Sequence, residues 1–78
     1  MEKTRLFEAE YRLMEIIWRL EPVNSTELSR VCQNELDWKK STTYTMLRKL
    51  AQRRILENKD AMVRSLIKRE EALRYESE

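Results

Sequence analysis

Between Asp37 and Glu57 the chain has no acidic residue, although acids make up 14 of its 78 positions. The stretch inside, "WKKSTTYTMLRKLAQRRIL" (38–56), carries Lys39, Lys40, Arg48, Lys49, Arg53 and Arg54 and opens on a run of hydroxyls, Ser41 to Thr45. Hydroxyls both donate and accept hydrogen bonds. A guanidinium forks onto paired oxygens, and an ammonium acts as a point charge. Together these groups suit contact with a polyanion, from which any carboxylate in the same stretch would be repelled.

Helical spacing sorts this stretch into two faces. Turning ~100° per residue from Thr43 puts Met46, Leu47 and Leu50 on one side. Ser41, Thr42, Tyr44, Thr45, Arg48, Lys49 and Gln52 fall on the other. The hydroxyl and basic residues therefore share the face turned away from a core.

Other elements must hold that helix. Residues 8–20, "EAEYRLMEIIWRL", place Ala9, Leu13, Ile16, Ile17 and Leu20 at helical spacing, with Met14 and Trp18 widening the stripe as core residues. Pro22 predicts an end just before it. In "NSTELSRVCQNEL", Asn24 and Glu27 have capping-box spacing, and Leu28, Val31 and Cys32, continuing to Leu36, give a short buried face. Cys32 reads as a small core hydrophobe. "DWKK" has no helical period and reads as a connection. "ILENKDAMVRSLI" has two β-tolerant runs around a polar "ENKD", the pattern of a small hairpin. The final "KREEALRYESE" has helical character and buries little.

The inventory excludes several classes. The chain contains no histidine and no glycine, which removes the commonest general base and metal ligand and any Gly-rich phosphate loop. Cys32 has no Cys or His companion, so neither a metal site nor a cofactor is expected. No clustered nucleophile and base argues for an enzyme. No apolar run approaches the ~20 residues of a membrane span, and the charged N-terminus lacks the apolar centre of a secretory signal. A single cysteine makes the cytoplasm the default location.

Three short helices followed by a hairpin predict a mainly α domain, a winged helix-turn-helix, in which the third helix enters the major groove of double-stranded DNA. Ser41, Thr42, Tyr44 and Thr45 are then the candidates for base edges, and Lys39, Lys40, Arg48 and Lys49 for phosphates. The competing reading is a protein-interaction module, for which Met62, Leu66 and Tyr75 would be the sensitive surface.

The quoted residues also resemble the BlaI/MecI/CopY family of bacterial repressors. Ala9-Glu10, Leu13-Met14 and Ile17-Trp18 fall where that family has its first-helix pattern, and Thr42-Thr43, Thr45-Met46-Leu47 and Leu50 where it has its third. "VRSLIKREEALRYES" is similar to the stretch leading into its dimerisation arm. The resemblance implies a repressor that binds an inverted-repeat operator of TACA/TGTA type as a homodimer. Its recognition helix would span about 41–53, with Ser41, Thr42, Tyr44 and Thr45 facing the operator and Trp38 bracing that helix. It also implies a winged-helix domain over 1–67 and the start of a helical dimerisation arm over 68–78. The present chain is then expected to be a monomer with weak, salt-sensitive DNA binding.

Three departures from the family pattern carry expectations of their own. Phe7 stands where a Ser or Thr cap is usual, so the first helix is expected to fray or to start elsewhere. Arg54 replaces a glycine where a left-handed cap is expected, at a cost of about 1 kcal/mol. The segment between Leu56 and Val63 is short, which leaves most of the binding to the helix.

Overall fold

The structure, a computed structural model, describes residues 4–75. Residues 1–3 of the expected domain and 76–78 of the expected arm lie outside the described residues, as does the side chain of Tyr75. Strand β1 (Thr4–Phe7) leads directly into helix α1 (Glu8–Leu20), followed by the short strand β2 (Val23–Asn24), helix α2 (Ser25–Leu36) and helix α3 (Lys40–Gln52). Strands β3 (Leu56–Lys59) and β4 (Met62–Ser65) form the hairpin. A 3-10 turn at Arg69–Glu71 precedes strand β5 (Ala72–Tyr75).

The buried side chains form one core. Leu13, Met14 and Ile17 of α1 meet Leu28 and Cys32 of α2, Leu47 and Leu50 of α3, and Ile55, Leu56 and Val63 of the hairpin region. Burying each large aliphatic side chain contributes about 1.5–3 kcal/mol before entropy is counted. Cys32 is fully buried, and burial pushes its thiol pKa up, in keeping with a packing role. The inward face of α1 differs from expectation at its start. Ala9 is exposed and Glu10 is buried in its place, because the row 10-13-14-17 follows the i, i+3, i+4, i+7 spacing of one helix face.

Phe7 does leave α1 without a side-chain cap of its own, yet, against the expectation drawn from it, the helix starts at Glu8 and not elsewhere. Glu10 reaches back, and its Oε1 accepts from the Phe7 amide at 2.9 Å, which is the reverse half of a capping box. At α2 only the forward half forms. Asn24 Oδ1 accepts from the Thr26 amide at 2.8 Å, while Glu27 turns outward to pair with Arg30.

The wing is a three-stranded antiparallel sheet in the order β2-β4-β3, with Val23 opposite Val63 and Leu56 opposite Ser65. Its turn falls later than the polar "ENKD" suggests, because Glu57, Asn58 and Lys59 are strand residues and the reversal uses Asp60 and Ala61. Both have positive φ, 53° and 66°, the pattern of a two-residue type I′ turn.

The C-terminal segment is not the expected helix. β5 pairs in parallel with β1, Thr4 opposite Ala72 and Phe7 opposite Tyr75. The segment is strapped to the outer side of α1 by Trp18 Nε1 donating to the Ile67 carbonyl at 3.0 Å. Arg69–Glu15 at 3.3 Å and Arg74–Glu8 at 2.8 Å add ion pairs. The Arg69 guanidinium lies 5.1 Å from the Trp18 ring centroid, and Tyr11 meets that ring edge-on at 5.7 Å. Trp18 is thus half-buried at this seam rather than a core residue. A short, mostly polar helix is marginal in water, and these long-range contacts outweigh it.

Helix α3 ends as expected, with Arg54 left-handed at φ 60°. Ile55 N–H donates to the Leu50 carbonyl and Arg54 N–H to the Ala51 carbonyl, both at 3.0 Å, which is a Schellman motif built without glycine. Because Arg54 and Ala61 carry a Cβ into the left-handed region, Arg54→Gly and Ala61→Gly should each raise stability by about 1 kcal/mol, additively, in chemical denaturation.

Candidate nucleic-acid interface

Helix α3 presents the surface singled out by sequence. Thr43, Leu47 and Leu50 are buried, and Met46 is half-buried. Lys39, Lys40, Ser41, Thr42, Thr45, Arg48 and Lys49 are all exposed. Ser41, Thr42, Thr45, Met46 and Lys49 line one shallow depression on this face. Trp38, in the connection before the helix, packs against the edge of the core, which suits a brace.

Thr43 is the one hydroxyl of the run that turns inward. Its contact with the Cys32 thiol pulls that thiol's pKa against the effect of burial, but lacks hydrogen-bonding geometry, so the buried hydroxyl stays unpaired.

Tyr44 departs from the group of base-edge candidates. It is half-buried, and its phenol meets the start of α2. The nearby Thr26 side chain, then that of Ser25, favours its phenolate and lowers its pKa from the ordinary tyrosine value, and the charge of Lys40 adds to the effect. The Lys40 ammonium lies 5.9 Å from the Tyr44 ring centroid. The phenol therefore lies beside the start of α2, to one side of the residues that point straight outward.

Charge pairing differs between this surface and most of the arginines elsewhere. Arg12, Arg19, Arg30, Arg53, Arg64, Arg69 and Arg74 each pair with a carboxylate. Among the described residues, no carboxylate pairs with Lys39, Lys40, Arg48 or Lys49; Arg54, Lys59 and Lys68 also lack one, but only the first four lie together beside the outward hydroxyls. Arg53 belongs to the first group although it lies in the acid-free stretch. Its partner is Glu10, at 3.0 Å. Sequence reasoning does not single out that pair, since Glu10 lies 43 positions away and reads as one of several surface acids. Of the exposed apolar residues Met62 and Leu66, Met62 shares a depression with Glu57, Lys59, Asp60 and Arg64, and Leu66 follows β4.

Three helices, with the third exposing a basic, hydroxyl-rich face, and an antiparallel hairpin behind them define a winged helix-turn-helix. Comparison with protein-family models matches residues 6–78 to the penicillinase repressor family. The chain belongs to that family, whose members are DNA-binding transcriptional repressors rather than enzymes. Searches of curated proteins and of solved structures return no match. No helix among the described residues is long and apolar enough to cross a membrane.

The placement of Tyr44 has a spectroscopic consequence. Its lowered pKa means that the folded state favours the phenolate, so ionisation adds stability as pH rises through the folded pKa, and that gain is lost as pH falls back. An ultraviolet phenolate titration should show a component below the ordinary value of about 10, and Tyr44→Phe should remove it.

Proposed function

We propose that this chain reads an inverted-repeat operator, of TACA/TGTA type by its family resemblance, with α3 seated in the major groove. In this reading Ser41, Thr42 and Thr45 meet base edges. Tyr44, from its place on α3 beside the start of α2, contacts the adjacent backbone or an outlying base. Lys39, Lys40, Arg48 and Lys49 neutralise phosphates. An inverted repeat takes two copies, one per half-site.

One observation carries the reading. Seven arginines elsewhere pair with carboxylates, whereas Lys39, Lys40, Arg48 and Lys49 cluster at α3 and its N-cap without such partners, around a patch of outward hydroxyls. Unpaired cations cost little on a solvated surface and release counterions when they meet phosphate. The wing supports a lesser part, since its two-residue tip sets Lys59 beside Asp60 and offers no net charge to the backbone.

Fluorescence anisotropy at several salt concentrations tests this, comparing a TACA/TGTA repeat with a scrambled duplex of equal length. The repeat should bind more tightly, with log affinity falling against log salt at a slope of about −3 to −4 for four phosphate contacts. Arg48→Glu should lower affinity by at least tenfold and leave the far-ultraviolet circular dichroism unchanged. Equal, feeble and salt-insensitive binding to both duplexes would turn the interface over to a protein partner.

A further inference from the structure

We infer that Glu10 and Arg53 are positioning residues for DNA recognition. Together they fix the angle at which α3 meets the groove, and Arg53 does so without touching the duplex. This rests on the DNA-reading function proposed above and adds to it two residues outside the exposed face of α3.

The geometry is a three-way node. Glu10 is buried, with its side chain only 6% exposed, and both carboxylate oxygens are used. Oε1 accepts from the Phe7 amide at 2.9 Å, and Oε2 accepts from Arg53 Nη1 at 3.0 Å. Arg53 Nη2 donates onward to the Arg5 carbonyl at 2.9 Å. The node thus ties β1, the first turn of α1 and the residue that caps the C-terminal end of α3. A buried carboxylate is costly unless it is paired and hydrogen-bonded, so Glu10 holds Arg53 in a fixed direction. Arg53 itself is 43% exposed, and its guanidinium is directed back to the body of the domain.

Apolar contacts along α3 fix its depth and roll more firmly than its tilt, because dispersion is not directional, whereas hydrogen bonds are. The tilt matters through leverage. Thr42 lies 11 residues from Arg53, or about 16 Å along the axis at 1.5 Å per residue. A tilt of about 5° pivoting at Arg53 would shift Thr42 by about 1.5 Å, enough to break a hydrogen bond to a base edge.

The sign of one substitution separates this inference from simple charge accounting. Glu10→Gln removes a negative charge from a DNA-binding domain, which by counterion arguments raises affinity. The substituted side chain keeps the oxygen that caps α1 but sets an amide NH2 against the Arg53 donors. The inferred positioning role therefore gives a loss instead.

The test is anisotropy with the same two duplexes on the full chain, its Glu10→Gln and Arg53→Gln variants and the double variant, at a temperature where circular dichroism shows all four folded. Each single variant should lose about three- to tenfold in affinity for the repeat, with the repeat-to-scrambled ratio falling and the salt slope unchanged. The double variant should lose no more than either single. Glu10→Gln binding as tightly as wild type or more tightly overturns the inference. So does an Arg53→Gln salt slope shallower by about one unit, which would make Arg53 a phosphate contact. Wild-type chain that shows no salt-sensitive duplex binding overturns the DNA-reading function, and this inference with it.

Discussion

The architecture depends on burying the inner face of α3. Thr43, Leu47 and Leu50 enter a core already lined by α1 and α2, and with 3.6 residues per turn their insertion determines which side chains must point out. Nothing separate is needed to expose Ser41, Thr42, Thr45 and Arg48. The same constraint suits the small buried residues of α2, Ser25, Ser29 and Cys32, which allow α3 to approach. The cost sits at Thr43, whose buried hydroxyl lacks a partner. A hydroxyl of this kind is tolerated because the surrounding apolar contacts outweigh it.

Much of this is legible in the sequence. The three helices, the outward hydroxyl and basic face and the buried cysteine follow from local pattern, namely helical period and capping chemistry, while the left-handed Arg54 follows from the family resemblance, which places a glycine there. The features that are not legible depend on partners far away in sequence. "KREEALRYESE" has helical composition, yet Ala72–Tyr75 is a strand, because β1 offers an edge and Glu8, Glu15 and Trp18 offer anchors at the other end of the chain. Local pattern places the hairpin turn too early because Asp60-Ala61 lacks the Asn-Gly or Asp-Gly signature of a type I′ turn. It groups Tyr44 with its neighbours because helical phase alone does not report that the start of α2 lies beside it.

Glycine is absent from the whole sequence, and the fold still needs left-handed residues. Asp37, Arg54, Asp60 and Ala61 supply them. Two are aspartates, whose short polar side chains tolerate this region comparatively well. At Arg54 the cap is secured by two backbone hydrogen bonds and the burial of Ile55, and at Ala61 by strand pairing on both sides of the turn and by its carbonyl accepting from the Ser25 amide at 2.7 Å. Local preference yields at these positions to contacts that only the complete fold provides.

The uneven pairing of charge also bears on how the molecule arrives. A net charge of +2 exerts only a weak overall pull toward a polyanion, yet four cations without carboxylate partners cluster at α3 and its N-cap, while carboxylates neutralise seven arginines elsewhere. Such a distribution gives the molecule a dipole moment larger than its net charge suggests, and in the field of a duplex a dipole experiences torque. On the proposed function, the domain begins to turn α3 toward the groove while still a Debye length away, about 8 Å in physiological salt. Orientation before contact raises the fraction of encounters that are productive, and this kinetic advantage shrinks as ionic strength rises.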